Sequence, residues 1–210
     1  KTVHTIFNGY DSDLYNNANP KNDFNDRIII TYSGSMSYNH RPSGFFRALK
    51  KIGEIKPEVF NRMDVEFIGD FPGFLNEMID DYDLKERVTL INYMPYESLV
   101  RKLSTSTILL LNGLQGINHT AIPSKLFDYL GTNVPILSYG LDDTASDILY
   151  ELSAGKNFDF FDVDFESVPF ILDCVSGAFI RRDQREKVKY ERKAQTQQLA
   201  QIFDDVWSRR

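Results

Sequence analysis

The residues best suited to chemistry lie close together, within residues 123–128 of the chain. Pro123 suits the first turn of a helix, where its missing N–H is not needed. A helix that starts here presents free backbone N–H groups and a positive dipole end, which together attract a diphosphate. Ser124 adds a hydroxyl and Lys125 a cation. Asp128 stands four residues beyond Ser124 and so on the same helix face, where a carboxylate can accept both hydrogen bonds of a ribose diol. An acid near a helix start also has a plain electrostatic use against the dipole, and both readings stand at this point. The polar stretch 112–121 before the helix contains His119 and Thr120, and His119 is placed to touch a sugar or a phosphate.

A second small-residue turn, Ser33-Gly34-Ser35, leads through Arg41 towards another helical stretch. Its backbone N–H groups can approach a phosphate, with Arg41 supplying charge. The turn has neither the Gly-x-Gly-x-x-Gly pattern nor P-loop spacing, so a tight strand-to-helix connection explains it equally well.

These groups need a frame. Residues 27–33 form a short apolar, β-branched run closed by Gly34, the pattern of a strand buried on both faces. Strands are predicted again at 65–69, 88–91, 107–111, 135–138 and 158–161. Apolar spacing predicts helices over 43–52, 74–82, 96–103, 123–130, 143–152 and 167–174, and a long terminal helix over 183–207. Strands alternating with helices in this way mean an α/β fold, a Rossmann-like doubly wound parallel sheet with a long C-terminal helix. Right-handed crossovers place the strand C-termini along one edge, where ligands bind near the switch in strand order. Both candidate turns fall on that edge. Residues 1–24 are polar and turn-rich, with too little apolar surface for a core element, and read as a linker or lead-in to a domain spanning 25–210.

Composition narrows the function classes. The chain has 210 residues, 42% of them hydrophobic, and a formal net charge of −6. That length suffices for a core without disulfides or structural metal. One cysteine and three scattered histidines match no zinc-site spacing, so no metal is expected, and a reducing, cytoplasmic setting is the default. No apolar stretch approaches the roughly 18 residues of a membrane span. Residues 178–210 carry nine Lys or Arg against five Asp or Glu, which leaves the rest of the chain strongly acidic and argues against nucleic acid as a partner. Arg181, Arg182, Arg185, Lys187, Lys189, Arg192 and Lys193 are expected along one helical segment. That segment reads first as a solvated helix face and second as a peripheral contact with anionic lipid.

The run Ile122-Pro123-Ser124-Lys125-Leu126-Phe127-Asp128-Tyr129-Leu130-Gly131, followed by Pro135-Ile136-Leu137, resembles the donor-binding helix of GT-B glycosyltransferases of the retaining family 4. Three further landmarks are similar and occur in order. Val3-His4-Thr5-Ile6-Phe7-Asn8-Gly9-Tyr10-Asp11 resembles the interdomain segment, Tyr32-Ser33-Gly34-Ser35 the start of the C-terminal domain, and Tyr93-Met94-Pro95-Tyr96-Glu97 the proline turn before a helix. The resemblance implies the C-terminal half of a two-domain enzyme, with the acceptor-binding N-terminal domain absent from this chain. It implies a nucleotide diphosphate sugar as donor, a glycan or lipid-linked acceptor, and no cofactor. In the family two glutamates separated by seven residues flank the donor. Asp128 takes the second place, a shorter acid for the ribose, while the first falls on Thr120, which is not acidic. The cations that offset the leaving diphosphate fall to Arg41 and Lys125, because Ser35 stands where many members carry arginine. Base recognition is expected around residues 92–95 and 112–113.

The reading that follows is the donor-binding domain of a retaining glycosyltransferase, active in polysaccharide biosynthesis. Two others remain open: a non-catalytic α/β ligand-binding or interaction module, and a sugar-nucleotide epimerase or hydrolase on the same fold.

Overall fold

The computed structural model describes residues 3–16, 27–114, 122–179, 181 and 185–208. Six strands are seen among them: β1 (Ile28–Ser33), β2 (Met63–Ile68), β3 (Val88–Ile91), β4 (Ile108–Asn112), β5 (Ile136–Tyr139) and β6 (Gly155–Phe158). They form one sheet in the order β3-β2-β1-β4-β5-β6, and every pairing is parallel. The chain moves outward from β1 through β3, then returns to β4 beside β1 and moves the other way. This is the doubly wound order, and its crevice opens outside the carboxyl ends of β1 and β4.

Because strand side chains alternate, each central strand feeds two cores. Ile108 and Leu110 of β4 join one cluster while Leu109 and Leu111 join the other, all four fully buried. The first core is closed by α2 (Ser43–Ile55), α4 (Phe74–Asp81) and α8 (Ser167–Ser176), through Phe46, Leu49, Met78 and Phe170. The second is closed by α5 (Tyr96–Ser104), α6 (Ser124–Gly131) and α7 (Asp143–Glu151), through Val100, Leu103, Phe127, Leu130 and Leu149. A short α3 (Pro57–Phe60) begins at Pro57, suited to a helix start, and links α2 to β2.

Three expectations are corrected. The lead-in does hold core residues: α1 (Ser12–Asn16) delivers Tyr15, and Tyr10 before it is 1% exposed, both within the second core. Two tyrosines are enough because they fill a notch against α6 instead of forming a periodic face. The sixth strand runs over Gly155–Phe158 rather than 158–161. Asp159 ends it by accepting the N–H groups of Phe161 and Asp162, and Phe160 turns inward from the loop, 8% exposed. The terminal helix, α9 (Arg192–Ser208), starts nine residues later than its spacing suggests, after a 3-10 turn over Arg185–Tyr190. The backbone here is diverted to Tyr10, whose N–H donates to the Tyr190 carbonyl at 3.0 Å and whose carbonyl accepts from Arg192 N–H at 3.0 Å.

The basic residues of this region therefore do not form one helix face. Arg181 donates to the carbonyls of Thr132 and Val134 at 2.8 and 3.0 Å, Lys189 pairs with Glu151, and Lys193 pairs with Asp13 at 2.8 Å. Arg182 lies outside the described residues. Among the described residues, no helix is long and apolar enough to cross a membrane.

Candidate functional site

A cavity of about 450 Å³ opens at the carboxyl edge of the sheet, beside the switch between β1 and β4. Three segments build its walls. Ser33, Gly34 and Ser35 come from the end of β1, Tyr93, Met94 and Tyr96 from the turn into α5, and Pro123, Ser124, Lys125 and Asp128 from the start of α6. His40 closes one side, its Nδ1 2.7 Å from the Ser37 hydroxyl.

The first wall depends on close backbone approach. Gly34 has φ +104°, a conformation that only glycine adopts cheaply, and its N–H donates to the Ile68 carbonyl at 2.9 Å. Gly69 ends β2 against it so tightly that a Cβ there would lie 2.5 Å from the Gly34 carbonyl oxygen. The two glycines let the ends of β1 and β2 approach closely beside the cavity.

The third wall is fixed from below. Tyr129, fully buried, accepts the Ser33 backbone N–H on its phenolic oxygen at 2.9 Å, which ties α6 to β1. Pro123 occupies the N-cap and no side chain caps the helix, so the first N–H groups of α6 remain available at the cavity.

Lys125 lies over the floor. Its Nζ donates to the Tyr32 hydroxyl at 2.6 Å, and that hydroxyl donates to the Ser35 carbonyl at 2.9 Å. A Cβ on Gly34 would come within 3.2 Å of the ammonium, so the glycine leaves it room. Among the described residues no carboxylate pairs with Lys125, and burial pulls its pKa down to about 7. A cation held out of water without a counter-charge is a ready receptor for an anion.

Asp128 lines the same wall three residues further along α6. The Tyr96 hydroxyl donates to Asp128 Oδ1 at 2.7 Å, and the Tyr15 hydroxyl is 3.3 Å from that of Tyr96. Burial raises the Asp128 pKa, while Tyr96, the Arg192 guanidinium and Tyr15 pull it back towards the charged form. The Tyr96 phenol is itself pushed up to about 12, mainly by burial, and so stays protonated as a donor.

The structure thus brings together Gly34, Ser35, Ser124, Lys125 and Asp128. It places Arg41 elsewhere: the guanidinium stacks 3.5 Å from the centroid of the Tyr38 ring and does not line the cavity. His119 and Thr120 lie outside the described residues. Tyr93 and Met94 from the expected base-recognition segment line the cavity, whereas Asn112 turns away and donates to the His40 carbonyl at 3.2 Å. Sequence reasoning misses Tyr15, Tyr32 and Tyr129 as site supports. The available signal was Tyr129 beside Asp128 in α6 and Tyr32 two residues before Gly34, while nothing local marks Tyr15. Among the described residues no group of three His, Cys, Asp or Glu side chains is arranged to hold a metal ion.

No family model matches this chain, and no curated protein matches its sequence. Solved structures match its fold. Sucrose-phosphate synthase from Thermosynechococcus elongatus superposes with a TM-score of 0.72 over 99% of this chain and 53% of its own, at 14% identity. A glycosyltransferase from Rickettsia africae gives 0.69 over 98% of this chain and 57% of its own, also at 14% identity. HepE from Anabaena, solved with UDP, gives 0.64 over 96% of this chain and 57% of its own, at 10% identity. The fold is therefore the one found in GT-B glycosyltransferases, and the chain spans about half the length of the structures it matches.

Proposed function

We propose that this chain is the donor-binding half of a retaining glycosyltransferase, holding a nucleotide diphosphate sugar while an N-terminal domain presents a glycan or lipid-linked acceptor. The observation that carries the reading is the gathering, in one wall of a cavity at the strand-order switch, of Lys125, the uncapped start of α6 and Asp128. Asp128 accepts the ribose diol. The α6 N–H groups, Ser124 and Lys125 take the diphosphate, and the Gly34–Ser35 backbone lets it approach closely. Tyr93 and Met94 border the space left for the base.

In sugar transfer the bond from the anomeric carbon to the diphosphate breaks, and negative charge grows on the departing oxygen. A lysine and a helix dipole already in place stabilise that charge without reorganisation. The match in fold to glycosyltransferases supports the same reading, as does HepE having been solved with UDP. Titrating the chain with UDP, GDP and dTDP by calorimetry tests it. Saturable binding of one nucleotide, lost in Asp128→Ala, is expected; binding that Asp128→Ala leaves unchanged removes the ribose role.

A further inference from the structure

Asp128 is held by a row of hydroxyls that begins outside the cavity. A phenol has one proton, and Tyr96 gives its proton to the Asp128 carboxylate at 2.7 Å. The Tyr96 oxygen is then left to accept, and the Tyr15 hydroxyl lies 3.3 Å from it. Tyr15 is therefore the donor of that contact, and the order runs Tyr15 to Tyr96 to Asp128. Donation into the Tyr96 oxygen polarises its O–H and strengthens the bond to the acid.

Tyr15 does not line the cavity. It is 8% exposed on α1, meets Tyr10 edge-on at 5.8 Å, and fits against α6 so closely that a Cβ on Gly131 would come within 2.6 Å of its ring. Tyr10 is fixed in turn by its backbone bonds to Tyr190 and Arg192. Among the described residues, the groups bearing on Asp128 are Tyr96 from α5, Tyr15 from α1, Arg192 at the start of α9, and its neighbour Tyr129, whose hydroxyl is committed to Ser33.

We propose that Tyr15 is a positioning residue for Asp128: its hydroxyl keeps the carboxylate charged and aimed, so the seating of α1 sets the grip on the nucleotide. The functional meaning rests on Asp128 being the ribose acceptor; the physical link does not. Tyr15→Phe leaves the ring against Tyr10 and Gly131 and removes only the hydroxyl.

The test is a carbon-detected pH titration of the Asp128 carboxyl in the nucleotide-free chain, with UDP, GDP and dTDP affinities measured on the same samples. The Asp128 midpoint is expected to rise by about half a pH unit in Tyr15→Phe, and by more in Tyr96→Phe. Below that midpoint, where the charged fraction limits binding, the affinity of the nucleotide that the wild type binds is expected to fall by about threefold in Tyr15→Phe. An unmoved midpoint in either folded variant overturns the proposal, and it is the result a merely space-filling Tyr15 would give. A midpoint that moves in a chain that binds none of the three nucleotides keeps the link and sinks the donor-site reading instead.

Discussion

The phenolic oxygen of Tyr129 accepts the backbone N–H of Ser33 at 2.9 Å, with the ring fully buried between α6 and the sheet. The first and third walls of the cavity are thereby tied through the backbone, beside the bond from Lys125 to the Tyr32 hydroxyl and the 3.3 Å contact between the Ser33 and Tyr129 hydroxyls. Together these ties hold Ser124, Lys125 and Asp128 beside the Gly34 turn.

Tyr129→Phe strands a buried backbone donor, which costs about 1–3 kcal/mol. Urea unfolding should show that loss, and nucleotide affinity should fall with it, since the variant also removes the bond from α6 to the β1 backbone. A variant as stable as the wild type would show that the bond does not hold the walls together.

Asp128→Asn should bind nucleotide about 10- to 100-fold more weakly, the scale of a hydrogen-bonded charged group lost. It should also be more stable at neutral pH. The folded Asp128 pKa is raised, chiefly by burial, so protonation favours the folded state. That contribution is full below the ordinary carboxylate range and is lost as pH rises through the raised folded value. Melting temperatures of both proteins across pH 3–8 should diverge as pH rises, with the variant above; parallel curves would exclude Asp128 as the source.

Nucleotide binding should take up a proton near pH 8. Lys125, lowered by burial to about 7, is largely neutral there, and an arriving diphosphate favours its charged form. Calorimetry in buffers of different ionisation heat reads the uptake directly. Affinity should weaken as pH rises through about 7, and Lys125→Met should abolish the uptake. In the free chain the depressed pKa has the opposite sign for folding, so stability gains from Lys125 deprotonation as pH climbs above about 7.

Gly34→Ala should destabilise by about 1–3 kcal/mol, the range for a side chain forced into a sparse backbone region. The added Cβ would stand 3.2 Å from Lys125 Nζ, so the ammonium must shift as well. Chemical denaturation and the proton-uptake experiment together check both effects.

The outer face of α9 should drive self-association of the isolated chain. Leu199, Phe203, Val206 and Trp207 are 41%, 64%, 55% and 76% exposed along it. Sedimentation should show weight-average mass rising with concentration, and Phe203→Glu with Trp207→Glu should suppress the rise. Trp207 is the chain's single tryptophan, so its fluorescence reports coverage of that face without labelling.

Much of this was legible before any coordinates. β1 and β4 are read from apolar runs ended by small or polar residues, because a strand buried on both faces is mostly apolar and buries a polar side chain only with a partner, as Thr31 does with Ser106. The start of α6 was legible because proline, serine, lysine and aspartate fall at positions where helix geometry makes them neighbours. What failed depended on distant partners. Residues 185–190 have helical spacing, yet Tyr190 gives its carbonyl to Tyr10 and the helix begins only after it. Arg41 has the charge for a phosphate, but the Tyr38 ring beside it in space decides its direction. Tyr15 lies in a polar stretch with no apolar period, and only the notch left by Gly131 explains its burial.

The clasp around Tyr10 joins residues far apart in sequence: Tyr10 to Glu191 spans 181 positions, Asp13 to Lys193 spans 180, and Asn8 to Gln195 spans 187. During synthesis none of these contacts can form until its C-terminal partner has been made. The sheet and most of both cores can assemble earlier, since every strand precedes residue 159. Tyr15 is made well before the clasp that fixes Tyr10 beside it, which must wait for residues 190–195. The sheet can thus be in place before the candidate site is finished, because the support that reaches Asp128 through Tyr15 and Tyr96 is completed only when residues 190–195 have been made.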